Sequence, residues 1–332
     1  MSTEVSKSEV RKNNVITMGR IGVDLYPLQT GVGLEEVESF GKFLGGSSTN
    51  VAVAAARLGN PDVATVTAVG DDPFGRWLRT EMRRLGVRDD YVETSKSLLT
   101  PITFCEIFPP DNFPLYFYRR PSAPDLEISP YDIPLRDIVD AGLFWFTGTG
   151  LSQEPSYWTH MVALEHRNRA RHTVFDLDWR EMFWRERHIA QDRYAEALKY
   201  ATVAVGNREE CEVAVGETVP DRAADALLER GVELAIVKQG PKGTLAKSRD
   251  ERVEVPPTRA TTVNGLGAGD AFGGSIVDGL LRGLSLKDMI ERASAAGAIV
   301  ASRLECSTAM PSPDEIDRVV AAGNTDVLLI GK

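Results

Sequence analysis

Short apolar runs rich in β-branched and aromatic side chains recur along this chain at residues 15–18, 63–69, 143–146, 173–175, 202–205 and 234–237. Runs without polar alternation are the signature of strands buried on both faces of a parallel sheet. Between them the pattern changes to a helical period. Val51, Ala54, Ala55 and Leu58 share one face of residues 49–58, Phe74, Trp77, Leu78 and Met82 share one face of 73–85, and 221–230 reads as a further helix. Later, Phe272, Ile276, Val277, Leu280, Leu281 and Leu284 recur at helical spacing with Gly283 near the end, and 286–300 is helical again. Strand and helix alternate, so the expected fold is α/β: a doubly wound, mostly parallel central sheet flanked by helices.

Two stretches break the alternation, residues 22–45 and 102–120. Within the second, 102–108 and 115–118 are strand-like around Pro109-Pro110-Asp111-Asn112. The expectation is a small β-sheet separate from the main one, placed as a lid over a site that must exclude water. A chain of 332 residues buries about three quarters of its unfolded surface, which suits one large domain with an appendage. Residues 14–332 are read as that domain and residues 1–13, polar and charged, as a frayed tail.

Charge narrows the partners. A formal charge of −10 with no long Lys/Arg cluster excludes a nucleic-acid or anionic-membrane partner, since both demand a basic face. No apolar stretch reaches the 18 or more residues of a membrane span and no signal peptide is visible, so a cytoplasmic location is expected. Cys105, Cys211 and Cys306 are odd in number and far apart, which fits free thiols in a reducing compartment. His160, His166, His172 and His188 lack metal-ligand spacing.

The chemistry sits in glycine-rich loops that open helices. In Asn264-Gly265-Leu266-Gly267-Ala268-Gly269-Asp270 alternating glycines let backbone N–H groups approach an anion, and the helix N-terminus adds donors and positive partial charge. Asp270 either caps that helix or takes a proton from a hydroxyl about to attack a phosphate. A second such loop, Gly45-Gly46-Ser47-Ser48-Thr49-Asn50, opens another helix, and Asn207-Arg208-Glu209-Glu210 sets an amide and a carboxylate three residues apart after an apolar strand. No Walker motif is present, and a dinucleotide site would need its glycines on the first βα turn.

Together, in this order, these elements resemble the ribokinase-like (PfkB) carbohydrate kinase family over most of the chain, from about residue 16 to 316. The resemblance implies that Asp24, Gly45, Gly46 and Asn50 contact the sugar, and that Asn207 and Glu210 organise Mg2+ through water. Gly267, Ala268 and Gly269 then form an anion hole beside Asp270 as base. Lys238, Gly240 and Gly243, with Gly265, are implied on the ATP side. Most members carry Asp-Thr where this chain has Asn264-Gly265, so a monovalent cation such as K+ would rely on backbone carbonyls. Other stretches, among them Gly19 to Pro27 and Phe104 to Asp111, resemble members acting on deoxy keto sugar acids. A sugar acid calls for an arginine; Arg20, Arg119, Arg120 and Arg180 are candidates, with Arg180, at the end of a strand, and Arg119 foremost. Family likeness also implies a homodimer through the lid. A non-catalytic sugar-binding regulator is the other class, and the joint retention of Asp270, Asn207 and Glu210 argues against it.

Overall fold

The computed structural model describes residues 14–329; the tail expected over residues 1–13 lies outside them. In chain order the strands are β1 (Val15–Met18), β2 (Gly22–Pro27), β3 (Phe40–Gly45), β4 (Val63–Gly70), β5 (Val92–Ser95), β6 (Ile102–Cys105), β7 (Leu115–Tyr118), β8 (Leu143–Thr147), β9 (Thr173–Asp176), β10 (Val203–Asn207), β11 (Leu234–Lys238), β12 (Thr244–Lys247) and β13 (Arg252–Val255). The helices are α1 (Ser47–Arg57), α2 (Pro73–Arg84), α3 (Leu135–Asp140), α4 (Ser156–Arg167), α5 (Arg187–Leu198), α6 (Arg208–Val215), α7 (Pro220–Glu229), α8 (Ala268–Arg282), α9 (Leu286–Ala301) and α10 (Pro313–Ala322).

Nine strands form the main sheet in the order β13-β12-β11-β10-β9-β8-β1-β4-β5. From β11 to β5 every pair is parallel, and only the β11-β12-β13 edge is antiparallel. Side chains alternate between two cores. Val15, Leu143, Trp145 and Val205 face a core shared with α1, α2, α8, α9 and α10, while Ile16, Phe144, Phe146 and Ala204 face one shared with α3 to α7. Burial on both faces is why these strands read as unbroken apolar runs. A separate four-stranded sheet, β3-β2-β6-β7, is built from the two stretches that interrupt the alternation.

The helices α1 and α8 cross closely because their contact residues are small. A Cβ on Gly274 would lie 2.3 Å from Ala54 Cβ, and one on Gly273 would lie 3.1 Å from Val51 Cγ2. This crossing brings the two glycine-rich N-termini together. Among the described residues no helix is long and apolar enough to cross a membrane. Replacing a helix-interior glycine by alanine ordinarily stabilises by about 0.5–1 kcal/mol. At Gly274 the sign reverses: Gly274→Ala is expected to cost about 1–3 kcal/mol through overpacking, read by urea denaturation, and a stabilised variant would contradict this packing.

Candidate active site

In an open α/β sheet, ligands bind beyond the carboxyl ends of the strands where the strand order reverses. Here the reversal lies between β1 and β8. Asp176, Asn207 and Lys238 end β9, β10 and β11, and across from them stand the N-termini of α1 and α8.

Asp270 is the joint between those N-termini. The N-cap of α8 is Gly267, in the left-handed region at φ 80°, so Asp270 lies in the first turn and is free of capping duty. Its Oδ1 accepts from Ser47 Oγ at 3.1 Å and its Oδ2 from Asn50 Nδ2 at 2.8 Å. The first backbone bond from α8 back to its cap runs from Ala271 N–H to Gly267 O at 2.9 Å, so the N–H groups of Gly269 and Asp270 have no intrahelical acceptor. Glycine is required at two approaches. A Cβ on Gly267 would lie 2.1 Å from Cys306 Sγ, and one on Gly45 would lie 2.1 Å from Asp24 Cγ. Gly46 takes φ 106° and packs against the Arg20 carbonyl.

Two cavities flank this loop. One of about 150 Å³ is lined by Asp24, Tyr26, Gly46, Asn50, Asp270, Arg20 and Arg180, with Thr103, Leu115 and Phe117 from the second sheet. Asp24 and Tyr26, two residues apart on β2, point the same way as a strand requires, and Tyr26 donates to Asp24 Oδ2 at 3.1 Å. The other cavity, about 400 Å³, is lined by Lys238, Gly240, Gly243, Thr244, Ala268, Phe272 and Gly297, among others. Gly265 and Gly269 line both.

Acids outnumber cations here: Asp24, Asp176, Asp178, Glu210 and Asp270 surround Arg20, Arg180 and Lys238. Burial pushes Asp24 up to about 6, against the pull of Arg20 and the Tyr26 hydroxyl. Burial also raises Asp270, opposed by the Asn50 bond and Arg20, and drives Asp176 well above the carboxylate range despite Lys238. Burial would raise Asp178 too, yet Arg180 and Arg20 hold it low; Arg180 Nη2 is 3.4 Å and Arg20 Nε 3.9 Å from its carboxylate. The Nε atoms of Arg20 and Arg180 are buried and have no hydrogen-bond partner among the described residues, and both guanidiniums line the smaller cavity.

Several expected residues have local duties. Asn207 Oδ1 accepts from the Glu210 N–H at 2.9 Å and Glu210 Oε2 from the Asn207 N–H at 2.6 Å, a capping box that opens α6 and leaves Glu210 Oε1 outside it. Asn264 is fully buried and uses both ends of its amide, donating to Leu304 O at 2.8 Å and accepting from Leu266 N–H at 3.0 Å. Arg119 is not brought to the smaller cavity. It pairs with Asp125 at 2.8 Å and stacks over Phe183, so the arginines that meet there are Arg20 and Arg180. Ser47, Tyr26, Thr103 and Asp178 were not singled out by sequence reasoning; the Asp-x-Asp spacing at the end of β9 was the one available signal. Among the described residues no group of three or more His, Cys, Asp or Glu side chains is placed to hold a metal ion directly.

The fold is ribokinase-like, and the chain belongs to the pfkB family of carbohydrate kinases, whose pattern, "pfkB family carbohydrate kinase", matches residues 12–313. It is similar to the 5-dehydro-2-deoxygluconokinase of Photobacterium profundum, at 32% identity over 94% of this chain and 96% of that one. The 5-dehydro-2-deoxygluconokinase of Clostridium tetani is 30% identical over 94% of each chain. In fold it resembles the fructokinase of Xylella fastidiosa solved with bound ATP, with a TM-score of 0.82 at 23% identity, covering 94% of this chain and 99% of that one. The protein is therefore a carbohydrate kinase.

The raised Asp24 has a consequence for stability. A carboxyl that binds its proton more tightly folded than unfolded stabilises the protein most below about pH 4, and that contribution is lost as the pH rises through about 6. Asn cannot titrate, so Asp24→Asn is expected to gain about 2 kcal/mol relative to the parent between pH 4 and pH 8. Denaturant unfolding at the two pH values checks it, and a difference that does not change with pH would contradict it.

Proposed function

We propose that this kinase transfers the γ-phosphate of ATP to the C6 hydroxyl of 5-dehydro-2-deoxy-D-gluconate, a step of myo-inositol breakdown, in the cytoplasm. The observation that carries the reading is the pair of cavities meeting at Gly265 and Gly269, with Asp270 on the smaller side. The larger cavity takes the nucleotide, with Gly240, Gly243 and Lys238 along the phosphates. The smaller takes the acceptor. Its carboxylate engages the guanidiniums of Arg20 and Arg180, which line that cavity, and this leaves the hydroxyl at the opposite end of the molecule for Asp270.

Asp270 accepts the C6 proton as the sugar oxygen bonds to the γ-phosphorus and the bridging oxygen leaves with ADP. Burial raises the affinity of Asp270 for a proton, the direction that general-base catalysis calls for. The N–H groups of Gly267, Gly269 and Asp270 receive the charge that develops on the transferred oxygens. The excess of acids over cations fits a divalent ion, and Asn207 and Glu210 would hold Mg2+ through its waters; bound there, the ion would neutralise phosphate charge. Asp24 and Asn50 orient acceptor hydroxyls. With Asn264 committed to the loop, K+ would draw on backbone carbonyls alone. The second sheet acts as the lid, and its outward Tyr116 and Tyr118, 43% and 67% exposed, lie where a second copy would pair lid to lid.

ADP release from Mg·ATP with 5-dehydro-2-deoxygluconate, 2-keto-3-deoxygluconate, ribose and fructose compares the acceptors directly. Selective turnover of the first is expected, with Asp270→Asn lowering it by about 10²- to 10⁴-fold and leaving ATP binding intact. Preference for 2-keto-3-deoxygluconate would overturn the substrate, and full activity of the Asn variant would remove Asp270 as base.

A further inference from the structure

The tip of the lid reaches past the acceptor cavity. Between β6 and β7 the chain doubles back, with Phe108 N–H donating to Asn112 O at 3.0 Å and Asn112 N–H to Phe108 O at 3.1 Å. Pro110, at the turn, lines the nucleotide cavity. Phe113, at its base, lies on the glycine-rich loop. A methyl group on Gly265 would stand 2.9 Å from Phe113 Cε2 and 3.1 Å from Cδ2, so the ring occupies the volume any side chain at 265 would need. Gly265 borders both cavities. Phe113 itself lines neither cavity; an aromatic ring with no polar atom thus backs the glycine that borders both, at the boundary across which phosphate and acceptor must meet.

We propose that Phe113, docked into the space Gly265 leaves open, is a positioning residue that closes this boundary to water and thereby directs the γ-phosphate to the acceptor hydroxyl. The inference rests on the reading of the loop as the phosphate site. Water competes because Asp270 would deprotonate it as it does a sugar hydroxyl. In that side reaction the water oxygen bonds to the γ-phosphorus, the bond to the bridging oxygen breaks, the proton passes to Asp270, and ADP and inorganic phosphate result. An apolar plug gives such a water no hydrogen-bond partner and excludes it from the reacting atoms.

The test measures inorganic phosphate and sugar phosphate formed by the full-length protein from Mg·ATP and 5-dehydro-2-deoxygluconate. Phe113→Ala is expected to raise the ratio of inorganic phosphate to sugar phosphate by about tenfold or more, while Phe113→Leu, still an apolar plug, stays near the parent. Gly265→Val alone is expected to lower kcat because its side chain overlaps the ring. Combined with Phe113→Ala, it refills the space from the opposite side and brings the ratio back toward the parent value. Thermal unfolding identifies any variant that fails to fold, and Phe113→Val, a smaller loss of cover, then carries the same comparison. A ratio unchanged in every folded variant, with both rates falling together, would mean a structural role only and overturns the inference, as would a folded double variant that leaks like Phe113→Ala. A parent that makes no sugar phosphate would instead overturn the underlying reading and the inference with it.

Discussion

Everything at this site depends on one carboxylate being held by two donors from another helix. Asp270 accepts from Ser47 and Asn50, and those bonds tie the first turn of α8 to the first turn of α1. Two helix N-termini, each carrying about half a positive charge, converge on the same point. The convergence is possible only because the surrounding positions lack side chains: Gly274 against Ala54, Gly267 against Cys306 and Gly45 against Asp24. Bulk at any of them would separate the groups that must act together.

The electrostatics follow from that crowding. Asp24, Asp176, Asp178, Glu210 and Asp270 share a partly dry region with Arg20, Arg180 and Lys238, and desolvation penalises each added charge. Asp178 keeps its charge because two guanidiniums face it. Asp24, Asp176 and Asp270 are less well compensated and bind protons more tightly than free carboxylates. One arrangement thus yields a fixed anion beside two arginines and carboxylates of raised proton affinity, two behaviours set by environment rather than residue type.

The parallel strands are legible in the sequence because burial on both faces leaves an unbroken apolar run, as in Leu143–Thr147. Helix α5 is not, because its buried face is Ala190, Tyr194, Ala197 and Leu198, half of it alanine and therefore weak as a periodic signal. The glycine-rich loops are legible as helix starts because Gly46 and Gly267, each at positive φ, cap the helices that follow. Ser47 is not, since a serine after two glycines looks like any helix start and its partner lies 223 positions away. Arg119 illustrates the converse: its position just after β7 suggests a ligand contact, and the buried Asp125 that claims it comes from a turn that no local pattern connects to it.

The central claim is that the Asn50-bonded carboxylate of Asp270 is the group that takes the proton. The acid limb of the pH profile of kcat/KM, which reports the free enzyme, measures this in the parent and in Asn50→Ala. Donation from Asn50 lowers the proton affinity of Asp270, so its removal is predicted to move the limb to higher pH; a limb that stays in place would contradict the account.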